Sequence, residues 1–179
     1  MNKAILPFVI YLGYFVIGIV SFIISPTLPL IIKDFGISTA IAGSIFTAAS
    51  LGGFIGALGG GVLSDLFGRK FLVILGCLFQ IIGFGLIALS RSWALILILF
   101  FLTSLGRGFL SISFNTIISD INPDRRGAAL NTLHGIYGIG NLLGPMLAGV
   151  VLSLNYDWRV IYYGAAAIWL VFLVINMPI

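Results

Sequence analysis

Six long apolar runs, each separated from the next by a short polar interval, make up almost the whole chain. The first extends from Ala4 to Ile32, the second from Ala40 to Ser64 and the third from Phe71 to Ser90. The fourth begins at Trp93 and reaches about Ile121, the fifth occupies Ala128 to about Leu154, and the sixth fills Val160 to Met177. A helix of ~25 residues is ~38 Å long at 1.5 Å per residue, enough to cross a ~30 Å hydrocarbon core while tilted. Each run is therefore predicted as a spanning helix, and six spans put both termini on one side. The first is too long for the ~7 to 15 residue apolar region of a cleaved leader, so it is expected to be retained. Pro26 and Pro29 predict a kink or frayed turn near its far end.

Composition narrows the class. Hydrophobic residues account for 60% of the chain and charged ones for 8%, with mean hydropathy +1.22, which points to an all-α integral membrane protein with the lipid bilayer as its surroundings. The net charge of +4 comes from scattered Lys and Arg that form no stripe, so no nucleic acid is expected as partner. With one Cys (Cys77), one His (His134) and no Glu, neither a disulfide framework, a metal site nor a cofactor cage is predicted. Only Gly43-Ser44 comes near a serine-protease elbow, and no enzyme is expected. The amino-terminal side and even-numbered loops hold Lys3, Arg69, Lys70, Arg125 and Arg126, against Lys33, Arg91 and Arg159 opposite. That bias predicts cytoplasmic termini in a plasma membrane.

The densest charge in the first half lies in Gly61 to Lys70, G-V-L-S-D-L-F-G-R-K. Asp65, Arg69 and Lys70 would each cost about 2.5 to 3.5 kcal/mol at a bilayer centre, which makes this stretch a tight loop between spans two and three. The pattern resembles the signature loop of the major facilitator superfamily of secondary transporters, with Leu66 and Leu72 where that family usually has basic residues. Gly140 to Gly149, G-N-L-L-G-P-M-L-A-G, resembles the fifth-helix motif of the same family through Gly140, Gly144, Pro145 and Gly149, with Ala148 replacing a Gly. That motif is associated with antiporters, but the upstream Gly of its full form falls on Asn131. The run from Leu105 through Gly149, with N-P-D-R-R-G-A-A-L-N-x-L-H-G in its middle, looks like the fucose-type sugar symporter branch. Proton-coupled members of that branch carry an acid where this chain has Ser111, and Ser21 stands where drug-efflux antiporters often carry Asp. No residue of this chain is therefore expected to be the proton-coupling acid.

The resemblance implies a half-bundle of two inverted three-helix repeats, about 1–90 and about 91–179, in one six-helix domain covering 1–179. Gly52, Gly56 and Gly60 of span two match Gly140, Gly144 and Ala148 of span five at a constant offset, which supports the repeat; close helix packing explains the same small residues without it. The family's signature loop acts as a conformational latch. Carried over, Gly61 and Gly68 would allow close approach and a tight turn, Asp65 would cap the next helix, Arg69 would pair with Asp120, and Lys70 would complete the charge cluster.

Helical spacing then suggests a solute path. Tyr11, Tyr14, Gly18, Ser21 and Ser25 share one face of span one, Arg107, Ser111 and Asn115 one face of span four, and Asn131, His134, Gly138 and Asn141 one face of span five. Spans one, two, four and five are expected to face a cavity, and three and six the lipid. Arg107 lies ~21 Å along its helix from Trp93, deep in the core, where it needs an acidic, carbonyl or water partner and serves either the cavity or a bond within the bundle. Ser and Asn at such positions also commonly bond a neighbouring helix or their own backbone. The expected activity is alternating-access transport of a small polar solute, sugar-like on the branch resemblance; amphiphile efflux and a non-transporting membrane subunit are the alternatives. A full carrier of this family has two such halves, so a partner half, self-association, a split gene product or a truncation is expected.

Overall fold

The computed structural model describes residues 5–176. Ala4 and Met177, the predicted outer limits of the first and sixth spans, and Lys3 of the charge count lie outside the described residues. Among the described residues all regular structure is helical: α1 Leu6–Ser21, α2 Ile24–Phe35, α3 Thr39–Ala42, α4 Ser44–Phe67, α5 Arg69–Leu89, α6 Trp93–Ile121, a 3-10 turn Pro123–Arg125, α7 Arg126–Ser153 and α8 Trp158–Asn176. These form six membrane-length spans, α1 with α2 making the first and α3 with α4 the second.

The break in span one falls earlier than its prolines. A proline ring collides with the carbonyl four residues before it, and for Pro26 that carbonyl belongs to Phe22, where α1 ends with φ −117° and ψ 11°. The freed carbonyl accepts the Ser25 N–H at 3.0 Å. Beyond the break the helix continues past Pro29 to Phe35, stopping at Gly36 in the left-handed region (φ 61°), whose N–H reaches the carbonyls of Ile32 and Lys33. The first loop is correspondingly shorter than predicted. Span four ends at Ile121 as expected, ahead of Pro123.

Two interfaces hold the inner helices by backbone contact. On α4, a Cβ at Gly52 or Gly56 would strike the carbonyl oxygens of Phe101 and Leu105 on α6. On α7, a Cβ at Gly140 or Gly144 would strike those of Phe15 and Ile19 on α1. Span two thus packs on span four in the same way as span five packs on span one. The offset relating Phe15 to Phe101 and Ile19 to Leu105 also relates Asp34 to Asp120. Those aspartates make corresponding ion pairs at opposite ends of the bundle, Asp120 with Arg69 at 2.5 Å and Asp34 with Arg159 at 2.7 Å. Behind the inner helices α5 and α8 contribute a core of Phe84, Tyr162 and Trp169, and the Tyr162 hydroxyl meets Thr27 Oγ1 at 3.1 Å.

Three local expectations for the signature loop are corrected. Gly61 to Lys70 is not a loop: residues 61–67 continue α4, Arg69 and Lys70 open α5, and Gly68 alone lies between the helices. Asp65 does not cap the following helix: it lies in the last turn of α4, and the cap of α5 is Gly68, with no side-chain bond. Gly61 is not a point of close approach, because a Cβ there meets nothing within 4 Å. Gly68 does turn the chain, at φ 84°, and Arg69 does reach Asp120. With Arg69 and Asp120 side chains 40% and 47% exposed, that pair contributes under about 1 kcal/mol.

Candidate solute cavity

The buried hydroxyl of Tyr14 on α1 sits at the centre of a polar cluster. It lies 3.0 Å from Ser111 Oγ and accepts a bond from Asn115 Nδ2 at 2.7 Å. The same amide also donates to the Ser111 carbonyl at 2.7 Å. His134 meets the Tyr14 ring edge-on, centroids 5.5 Å apart, and Tyr137 packs against it at 5.8 Å. These side chains stand beside a cavity of about 390 Å³ whose walls include Tyr14, Ser111, His134, Tyr137, Arg107 and Gly53. Arg107 also lines a second cavity of about 190 Å³, with Ser21, Gln80, Ser104 and the rings of Phe84 and Phe100.

The predicted face of span one is divided between tasks. Tyr14 opens on the first cavity and Ser21 on the second, where Ser21 Oγ donates to the Ile17 carbonyl at 2.7 Å and receives the Tyr137 hydroxyl at 3.5 Å. Gly18 lies against the backbone of Tyr137 and Gly140 and is packing, not cavity. Ser25 falls beyond the break, so it loses the phase of that face. On α7, His134 reaches the cavity, while Asn131 is exposed and lines neither cavity. Asn141 is half-buried, its Oδ1 without a partner. Tyr137, Gly53 and Gln80 were not among the predicted site residues: Tyr137 lies between two residues of the predicted face, Gly53 reads as one more packing glycine, and Gln80 belongs to a span expected to face lipid.

In this half-bundle the apolar faces of α4 and α7 stand uncovered, with Phe54, Leu58, Leu142 and Met146 all exposed, although their small-residue faces are tightly packed. The family model described as Major Facilitator Superfamily matches residues 10–178. The chain belongs to the major facilitator superfamily.

Relatives within and around this superfamily give the scale of the match. The chain is 33% identical over 157 residues to the cis,cis-muconate transport protein of Acinetobacter baylyi, covering 87% of this chain and 38% of that protein. It is 25% identical over 169 residues to the quinolone resistance protein NorA of Staphylococcus aureus, covering 94% of this chain and 43% of NorA. It superposes on the crystal structure of the peptide transporter POT in complex with alafosfalin with TM-score 0.84 at 21% identity, over 97% of this chain and 38% of that one, a likeness of fold. The chain thus spans about two fifths of the length of these three proteins. Neither curated relative is named as a sugar symporter, so the resemblance to the fucose-type branch gains no support from them.

Proposed function

We propose that this chain forms one half of a secondary carrier that moves a small organic solute across the plasma membrane by alternating access. The observation that carries this reading is the joining of a polar cluster (Tyr14, Ser111, Asn115, His134) to a cavity that opens among α1, α4, α6 and α7. In such a carrier a second six-helix half covers the exposed faces of α4 and α7, and the solute binds between the halves near the midplane. Tyr14, Arg107, Ser111, Asn115 and His134 would contact the solute, and Ser21 would line the second cavity. Asn131 and Asn141 would act only if the second half closes against α7. The turn at Gly68 with Arg69 and Lys70 at the start of α5 would clasp Asp120 in one facing state and release it in the other.

Solute class is approached from two sides. The muconate transport protein makes a small dicarboxylate the first compound to test, while the match to NorA and the Gly140 to Gly149 motif favour amphiphile efflux as the second reading. A sugar-like solute would use the same hydroxyls and amides. Uptake into liposomes of this chain, alone and with a second half, tests the carrier reading; flux at the empty-liposome level for all three solute classes in both preparations would refute it.

Two further outcomes follow. A cysteine replacing Phe67, which is 62% exposed, in a Cys77→Ser background will resist an impermeant thiol reagent in intact cells and react after lysis. Labelling in intact cells would reverse the orientation. The aspartates Asp34, Asp65, Asp120, Asp124 and Asp157 all lie at helix ends or in loops, so none stands at mid-membrane to carry the coupling proton. Asp120→Asn will slow conformational exchange and leave the proton-to-solute stoichiometry unchanged; a variant that transports downhill but has lost coupling contradicts this.

A further inference from the structure

We propose that the solute of this cavity is an organic anion, held by its carboxylate on the Arg107 guanidinium. The inference rests on the carrier reading above and adds the class of solute to the same site.

Arg107 lies near the middle of α6 (Trp93–Ile121), half-buried and shared by both cavities. A guanidinium keeps its charge at any physiological pH and presents five donors and no acceptor. Removing it from water without an acceptor is costly. A second half-buried arginine shows what satisfaction looks like: Arg159 has Asp34 at 2.7 Å, Asp157 at 3.6 Å and the Ser90 carbonyl at 3.5 Å. Among the described residues the ion pairs use Arg69 and Arg159, and none uses Arg107.

The surroundings supply no internal counter-charge. The polar groups that line the two cavities with it are Tyr14 and Ser21 from the first span, Ser50 from α4, Gln80 from α5, Thr103, Ser104 and Ser111 from α6, and His134 and Tyr137 from α7. None is acidic. A fixed positive charge in a low-dielectric cleft with neutral walls concentrates anions. The guanidinium lies against α4 at Gly53, where a Cβ would be in ordinary contact 3.7 Å from Nη2, and the room for an anion is the 390 Å³ cavity that both residues line. A carboxylate entering there accepts two parallel N–H bonds from the fork, the arrangement that an ammonium cannot copy. Ile17 and Ala57 wall the rest of the cavity, which suits a short organic body more than a bare inorganic ion.

The test reads the sign of the field at that position in this chain itself. Gly53→Cys in a Cys77→Ala background places a thiol beside the guanidinium, with Ala57→Cys as a second probe of the same wall if the first does not fold. The reaction rates of an anionic (sulfonatoethyl) and a cationic (trimethylammonioethyl) methanethiosulfonate are compared, each relative to a cysteine at Phe67. The anionic-to-cationic ratio is expected to be raised about tenfold at the cavity, to fall to the Phe67 value in Arg107→Ala and to persist in Arg107→Lys. Millimolar cis,cis-muconate is expected to slow the anionic reagent when Arg107 is present, whereas its dimethyl ester and an equal ionic strength of chloride do not. A ratio indifferent to Arg107→Ala, or protection by the ester equal to that by the dianion, overturns the anion assignment while leaving the carrier reading standing. Protection by chloride alone assigns the site to an inorganic ion and overturns it too. Cysteines at 53 and 57 that react with neither reagent remove the open cavity, and the carrier reading falls with it.

Discussion

Gly144→Ala is expected to melt far below the parent protein, while Gly149→Ala, on the next turn of the same helix, melts with the parent or slightly above it. The two substitutions add the same methyl group to α7. At Gly144 the methyl would overlap the carbonyl oxygen of Ile19, and a backbone oxygen cannot rotate aside as a side chain can. The α1–α7 pair must separate locally, which costs about 1–3 kcal/mol for overpacking and disturbs the neighbouring contact at Gly140. At Gly149 the methyl meets nothing within 4 Å, so only the modest gain from replacing Gly in a helix remains, under about 1 kcal/mol. Gly56→Ala and Gly61→Ala form the corresponding pair on α4, one against the Leu105 carbonyl and one in open space. Melting in detergent, followed by Trp fluorescence or size-exclusion, checks all four. Equal losses at Gly144 and Gly149 would show that the close approach of α1 and α7 does not hold the bundle.

Arg107→Ala is expected to weaken solute binding at least tenfold while the protein inserts, stays monodisperse and melts close to the parent. Removing a directed, charge-assisted contact costs about 1.5–3 kcal/mol, which is tenfold or more in affinity. Arg107→Lys is expected to recover little of this, because a point charge does not reproduce the planar fork. The competing role, a bond that holds the bundle, predicts the opposite order: melting falls first, and affinity falls only in proportion to unfolding. Affinity beside melting temperature for the three proteins separates the two. Unchanged affinity in a well-folded Arg107→Ala protein removes this residue from the site.

Much of the architecture is legible in the sequence because the membrane permits few solutions: apolar runs of spanning length must be helices, and charges such as Arg69 and Asp120 must sit at their ends. The end of α6 could be placed from Asn122-Pro123 alone. The break at Phe22 is not legible at Pro26 itself, because a proline acts on the carbonyl four residues earlier and the visible residue and the bent one differ. The face of α1 was only half readable. Spacing puts Tyr14, Gly18 and Ser21 on one side of a cylinder, but which part meets a neighbouring backbone and which meets a cavity depends on α7, through Gly140. Gln80 reads as the main polar exception on an apolar span, and its place in the wall of the second cavity is not legible because periodicity describes the helix that carries a residue and not the helix it reaches; its amide bonds the Thr103 carbonyl of α6 at 2.7 Å.

The glycine contacts have a mechanical consequence. Backbone pressed on backbone has no rotamers to exchange, so α1 with α7 and α4 with α6 are two stiff couples, and shape change within the half is cheapest along the seam between them. The cavity lies on that seam. Tyr14, His134 and Tyr137 belong to one couple, and Gly53, Arg107 and Ser111 to the other. The bonds from Tyr14 to Ser111 and Asn115 are polar stitches across it. A solute that touched both sides would replace or reinforce those stitches and so tie occupancy to the relative tilt of the two couples. Stitch length, followed by a pair of spectroscopic labels on α4 and α7, would register occupancy without any label on the solute.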